Sequence, residues 1–500
     1  MRKSVFARAC TACLLVAFCG AARIGSSAQT LTTLYTFDYT HGSGPNSPLV
    51  QGLNGDFYGT TDLGGESDSG TAFKMTPQGT LTDLDSFCSD PIAGCSSLYG
   101  AYPRGLILGL DGNFYGLTYE GGANSNISIC QFGCGTVFKI TPGGTLSLVY
   151  DFCAQQSCTD GAEPTSLLQG PDGNFYGTTS LAGANTTSCE LTGYYCGTIF
   201  KLTPQGVLTT LYSFCSQKNC EDGSIGVSLL AASNGNFYGT TDGGGPSAYG
   251  VIFELTPTGN YSVLQSFPFG YGPDFNSLTE ASNGELFGVS RGNNSASYPG
   301  YVFRLTLSGK FEVLYSFCRQ TGCPDGSNPA GGLVQGTDGN LYGTTVEGGL
   351  NNSDYCFNGC GTIFSISPQG KFTNLYNFCS LASCADGYFP DGTLIQGTDG
   401  KFYGATSEEF YGAIFSFDVG LGPYIEALPG YGKVGQSTRI LGNGLTGTTG
   451  VSFNGTPAAF KVVGDTVVTA TVPAGATTGA IELTTSSGTL STNAPFLVRN

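Results

Sequence analysis

The sequence predicts an all-β protein whose main part is a seven-bladed β-propeller. Three observations carry this prediction. A phrase of the type DGNFYGTT returns seven times, at steps of 49 to 62 residues. Each interval reads as four short strands without helical periodicity. The last interval lacks its fourth strand, while a matching strand stands alone near the N-terminus.

The phrase begins at Asn54, Asp111, Asp172, Asn234, Asn283, Asp338 and Asp399. Its second aromatic, or the equivalent residue, falls at Tyr58, Tyr115, Tyr176, Tyr238, Phe287, Tyr342 and Tyr403. Self-similarity of this kind marks a repeat architecture. In the third unit, residues 165–170 (TSLLQG) read as strand a and 174–179 (NFYGTT) as strand b. Residues 197–203 (GTIFKLT) read as strand c and 207–214 (VLTTLYSF) as strand d. Asp-Gly and Asn-Gly between a and b suit tight hairpins, because both adopt positive φ readily. Aromatic and β-branched residues fill the strands, as a pleated, buried surface prefers.

The seventh unit has strands a to c over 393–397, 401–406 and 412–418, and no d. Residues 31–37 (LTTLYTF) match strand d. Added to the seventh unit they would close a ring and remove a free sheet edge. A solenoid or a two-domain sandwich is the competing architecture, and a solenoid gives no reason for the split unit. Closure by strand d puts d outermost and a along the channel. The short a–b and c–d turns then share one face, and the long b–c and d–a loops share the other.

Residues 1–28 read as a secretory signal peptide. Arg2, Lys3 and Arg8 precede an apolar stretch over 9–22, and Ser26-Ser27-Ala28 offers a cleavage site before Gln29. Lipidation at Cys19 is the alternative, disfavoured by bulky Phe18 before it. No later segment reads as a membrane span. The leader holds four basic and no acidic groups, so the rest carries 15 basic against 36 acidic residues, a net charge of −21. That charge argues against nucleic acid and anionic membranes as partners.

Sixteen cysteines follow the leader, all in or beside the long loops. After strand d come Cys88/Cys95, Cys153/Cys158, Cys215/Cys220, Cys318/Cys323 and Cys379/Cys384. Between b and c come Cys130/Cys134, Cys189/Cys196 and Cys356/Cys360. Members of a pair are present or absent together, which favours local disulfides in an exported protein. Zinc competes for the C-x4-C spacing, and pairing between adjacent loops stays open. Clipped, variable loops on one face of a regular scaffold are where binding is expected.

Asp160, Asp222, Asp325 and Asp386 each precede Gly just before strand a, near the expected channel mouth. A partial ring of carboxylates would suit Ca2+ or a cationic ligand. The preferred reading is an Asp-Gly turn steering the chain into the inner strand, with no cofactor. The single histidine, His41, lies in a Gly-rich loop, and the chain has no P-loop. Trp is absent, which removes the usual sugar-stacking platform. Glu120, Glu347, Asp62 and Asp242 follow strand b and could do glycosidic acid–base work, but their recurrence points to a loop role.

Residues 421–500 lack cysteine and the repeat phrase, and alternate short apolar runs with Gly turns. The phrase TATVPAGATTGAIELTT resembles the IPT/TIG family, which implies an immunoglobulin-like β-sandwich acting as a spacer or interaction module. The phrases DGNFYGTT, CGTVFKITPGGTL and LYSFCSQ, over 31–418, resemble the choice-of-anchor tandem repeat family called GloVer. That family has no established activity, so the resemblance implies the repeat and no site residues. The expected organisation is a leader (1–28), a propeller (29–420) and a sandwich (421–500). The expected function is a secreted or cell-surface, monomeric, non-enzymatic binding or adhesion protein whose clipped face meets a glycan or protein. A polysaccharide hydrolase or lyase using acids on that face is the alternative.

Overall fold

The computed structural model describes residues 29–45, 47–88, 99–125, 129–185, 196–268, 270, 272–292, 298–407 and 411–499, without the side chains of 273–277. The expected leader lies outside the described residues.

The fold is all-β. Among the described residues, seven four-stranded antiparallel sheets succeed one another along residues 30–418. In the third, strands a to d are Ala162–Gln169, Phe175–Leu181, Thr198–Leu202 and Leu208–Ser213, bonded in that order. Strand a starts earlier than the sequence suggested. Glu163 donates its N–H to the Cys134 carbonyl of the second sheet at 2.8 Å, so the chain is already laid in place before Pro164.

The repeat phrase has a physical reason at each position. In strand b of the third sheet every residue is buried. A Cβ on Gly177 would sit 2.1 Å from the Ser166 carbonyl oxygen and 2.5 Å from the Phe200 ring, so only Gly lets strand c pack its Phe across. Thr179 and Thr198 bond each other's hydroxyls at 3.0 Å, which satisfies two buried polar groups. In the a–b turn, Asp172 accepts from the Tyr176 hydroxyl at 2.9 Å and from Lys201 at 2.8 Å. Partial burial raises the Asp172 pKa, but the Lys201, Asn174 and Tyr176 bonds outweigh it and hold it at about 2.

The seven sheets stand in cyclic order. Thr30–Thr36 pairs antiparallel with Ala413–Asp418 and becomes the outer strand of the seventh sheet. Each strand d is followed by a Phe that meets the strand-c Phe of the next sheet edge-on. The pairs are Phe37–Phe73, Phe87–Phe138, Phe152–Phe200, Phe214–Phe253, Phe267–Phe303, Phe317–Phe364 and Phe378–Phe415, with centroids 5.0–6.0 Å apart. Each is worth about 0.5–1.5 kcal/mol beyond simple burial. The first pair joins the seventh sheet to the first, as do Tyr403 against Phe57 at 4.0 Å and the Thr398 N–H to Gln51 Oε1 at 3.0 Å. The core is therefore a set of inter-sheet clusters, the closing one formed by Phe37, Phe57, Phe73, Met75, Tyr403 and Ile414.

Residues 426–499 form two further four-stranded sheets around Ile425, Ile440, Phe453, Val468, Ile481 and Phe496. They lie across the a–b turns. Thr466 Oγ1 donates to the Leu53 carbonyl at 2.7 Å, Asn493 Nδ2 to Gln335 O at 2.8 Å, and the Tyr424 hydroxyl to Gln396 O at 2.8 Å. Asn443 Nδ2 bonds Thr398 Oγ1 at 2.8 Å, Tyr431 reaches Gly170 O, and Arg439 reaches Leu110 O. These contacts touch the first, second, third, sixth and seventh sheets. The a–b turns of those five sheets are thus an internal interface.

Candidate functional site

Among the described residues six clips are formed: Cys130–Cys134, Cys153–Cys158, Cys215–Cys220, Cys318–Cys323, Cys356–Cys360 and Cys379–Cys384. Cys88 and Cys196 are also in disulfides. Their expected partners, Cys95 and Cys189, lie outside the described residues. Among the described residues, the groups close enough to share a metal are Cys130, Cys134 and Cys153, and Cys356, Cys360 and Cys379, all already in disulfides.

Three of the four Asp-Gly carboxylates are closed off from solvent. Asp160, Asp222 and Asp386 are at most 1% exposed. Asp222 accepts from the Tyr212 hydroxyl at 2.7 Å, from Ser216 N–H at 2.9 Å and from Gln217 N–H at 3.1 Å. Asp160 and Asp386 accept from Tyr150 and Tyr376 and from the two corresponding backbone N–H groups. Asp325 is partly exposed and accepts from Tyr315 at 2.7 Å. The partners of Asp160, Asp222 and Asp386 belong to the cysteine loop and to the strand before it, so these three groups organise the clipped loop.

Two residues after the glycine that opens an inner strand, neighbouring sheets meet. Tyr102, Glu163, Ile225, Asn328 and Phe389 stand there and hold left-handed φ of 52–59°. Each donates its N–H to the preceding sheet, at Ser69, Cys134, Cys196, Pro299 and Cys360, over 2.7–3.0 Å. Gly44 donates to Tyr411 at 3.3 Å and continues the series across the closure. Left-handed non-glycine residues cost about 1–3 kcal/mol each and persist where the surroundings fix them. Here the lateral bond does so.

A cavity of about 430 Å³ lies among the inner strands and takes its lining from six of the seven sheets. Its charged residues are Asp62, Arg104, Arg291 and Asp391, with Thr165 and Thr393 between them. Arg291 faces Asp391 at 4.0 Å. The Arg104 guanidinium lies over the Tyr119 ring at 4.3 Å. The Tyr119 side chain hydrogen-bonds Glu163, which also accepts from Ser180 Oγ at 3.2 Å. Burial raises the Glu163 pKa, against the lowering effect of those two bonds. Burial and the Glu163 carboxylate both push the Tyr119 hydroxyl up. Glu120 and Asp242 are also raised by burial. Asp242 is open to water yet walled by protein.

These residues break the repeat. The position after the Thr-Thr of strand b holds Asp62, Tyr119, Ser180, Asp242, Arg291, Val346 and Ser407. The position after the Pro of strand a holds Arg104, Thr165 and Asp391 in the second, third and seventh units. The sequence reading singled out Asp62, Asp242 and Glu120 but missed Arg104, Tyr119, Glu163, Arg291 and Asp391. Alignment of the seven units position by position carried the signal. His41 pairs with Asp38 at 2.8 Å in an exposed loop. Glu347 accepts from Asn328 Nδ2 at 3.0 Å.

Solved structures with a similar fold include an oligogalacturonate lyase from Vibrio parahaemolyticus, at 10% identity and TM-score 0.46, covering 78% of this chain and 93% of that one. The extracellular domain of a hybrid two-component system from B. thetaiotaomicron matches at 10% identity and TM-score 0.47, covering 94% and 59%. A gluconolactonase from Xanthomonas campestris matches at 10% identity and TM-score 0.37, covering 78% and 90%. Likeness at this level carries no reading of activity. No functionally curated protein matches the sequence significantly. The family model described as the Gloeobacter/Verrucomicrobia repeat matches residues 21–191, 127–357 and 226–456. With its seven repeats inside those spans, the chain belongs to the Gloeobacter/Verrucomicrobia repeat family.

Proposed function

We propose that the seven sheets are the blades of a β-propeller, that residues 421–500 are an immunoglobulin-like sandwich docked on its plain face, and that the protein is an exported, non-enzymatic binding protein. Its ligand enters the central well from the clipped face. One observation carries the reading: the residues that depart from the repeat, Arg104, Arg291 and Asp391, converge on one cavity. A structural role repeats around a ring, whereas a recognition site breaks it. Six disulfides suit an oxidising compartment outside the cytosol. No described helix is long and apolar enough to cross a membrane.

The test is a glycan array and an extracellular-protein pulldown with the intact chain, repeated with Arg104→Ala and Arg291→Ala. A ligand retained by the native protein and lost by both variants supports the reading. A ligand held equally by both variants, or none at all, refutes it.

A second reading rests on Glu163. Burial favours its protonated form beside Tyr119 and Arg104, and a protonated carboxyl is a proton donor. That is a component of a polysaccharide hydrolase or lyase. Turnover of a polysaccharide panel, abolished by Glu163→Gln, would establish the enzyme instead.

A further inference from the structure

A second cavity, of about 540 Å³, lies on the clipped face of the sixth sheet, away from the central well. The d–a loop at Cys323 and the b–c loop at Cys356–Cys360 form its walls. Its volume falls within the roughly 300–1,000 Å³ of small-molecule sites. Two features of its lining are unusual.

The rim carries apolar side chains that are left largely open to water. Phe357 is 78% exposed and Leu350 is 72% exposed. Phe357 stands inside the Cys356–Cys360 clip, and the loop is pinned further. Gly348 N–H bonds Asn358 O at 2.9 Å, and Asn351 Nδ2 bonds the Asn377 and Phe378 carbonyls. The backbone that carries the ring is pinned before any ligand arrives, which lowers the ordering cost of binding.

The rest of the lining is polar and includes Ser327, Asn328, Glu347, Asn352 and Asn358. Asn328 is only 2% exposed. Its Nδ2 donates to Glu347 Oε2 at 3.0 Å, which orients the amide, and its Oδ1 has no hydrogen-bond partner. A buried acceptor left unpaired is costly. A ligand that suits this lining brings hydroxyl groups to Glu347 and its polar neighbours and lays an apolar face on Phe357.

We propose that this cavity is a binding site for one end of a neutral oligosaccharide. A pyranose ring has C–H faces for Phe357 and hydroxyls for the Glu347 carboxylate and the Asn352 and Asn358 amides. The site is independent of the central well and does not require that well to bind anything.

The test is calorimetric titration of the full chain with cellotetraose, maltotetraose and xylotetraose, with tetralysine as a probe for a cationic ligand. The expected result is saturable binding of at least one oligosaccharide. Phe357→Ala and Glu347→Gln should each weaken it by about tenfold or more. Phe132→Ala, a similarly exposed ring on the second sheet's clipped loop, should leave it unchanged, as should Arg104→Ala. Both cavity variants should keep the native melting midpoint. Phe357 packs on little, and the side-chain carbonyl introduced by Glu347→Gln still accepts from Asn328. Binding of none of the three sugars overturns the proposal. So does binding that survives both cavity variants, binding lost equally in Arg104→Ala, or tetralysine binding in place of sugar.

Discussion

Closure of the ring can be tested at one side chain. Phe37 directly follows the N-terminal strand and is 1% exposed. Its N–H bonds Gly412 O at 3.0 Å in the seventh sheet, and its ring meets Phe73 of the first at 5.4 Å. Its counterpart inside the chain, Phe214, meets Phe253 at 5.6 Å. Phe to Ala in a packed core costs about 3–5 kcal/mol, combining lost transfer energy with the cavity left behind. The edge-on contact adds about 0.5–1.5 kcal/mol. If the N-terminal strand closes the ring, Phe37→Ala and Phe214→Ala should lose the same amount, about 3–5 kcal/mol. That is a large part of the roughly 5–15 kcal/mol that holds a typical domain. If the chain end were frayed, Phe37→Ala should cost about 0.5 kcal/mol or less, as surface substitutions do. Urea denaturation with disulfides intact, followed by tyrosine fluorescence and by circular dichroism, measures both variants. A Phe37→Ala midpoint equal to that of the native protein, with Phe214→Ala strongly lowered, would refute closure.

Other expectations follow from the same contacts. Replacing Cys356 and Cys360 by Ser should cost about 2 kcal/mol in urea denaturation, the entropy of so short a loop; an unchanged midpoint would show that the clip constrains nothing. Asp222→Ala should destabilise by about 2–3 kcal/mol because Tyr212, Ser216 and Gln217 lose a buried acceptor, and millimolar Ca2+ should leave the native melting midpoint where it was. Glu163 has a raised folded-state pKa, so the folded state binds its proton more tightly than the unfolded state does. Ionised Glu163 therefore costs stability, absent below the unfolded pKa and complete above the folded one. Glu163→Gln should then gain stability relative to the native protein as pH rises from about 4 to about 8, and a difference that stays flat or reverses in urea midpoints would contradict the burial. Arg439→Ala with Asn443→Ala should loosen the tail and speed hydrogen exchange at the a–b turns of the second and seventh sheets; unchanged exchange there would mean that the other bonds suffice.

The repeat was legible in the sequence because each of its letters answers a local demand. Asp172 closes a turn and takes the Tyr176 hydroxyl, Gly177 clears the Phe200 ring, and Thr179 pairs with Thr198. Demands confined to one sheet recur with the sheet, so they print a pattern. The clips were legible for the same reason, since both cysteines of a pair sit in one short loop. What depends on the meeting of different sheets left no local pattern. Glu163, Tyr119 and Arg104 come from two sheets, and Arg291 and Asp391 come from two others. Asp160, Asp222 and Asp386 looked available in sequence because nothing local shows that a tyrosine ten residues earlier on strand d buries them.

By itself the sequence determined the seven units, their strand order, the orphan strand that completes the last and the loops that carry disulfides. Those features rest on contacts between residues near in the chain or in register with their own copies. Only the tertiary structure decided that a–b turns of five sheets meet residues 424–493, that the charged departures from the repeat converge on one cavity, and that Asn328 is buried with an unpaired oxygen. Each of these requires distant segments to share one small volume, and the separation in space between such segments is set by ring closure rather than by any stretch of sequence.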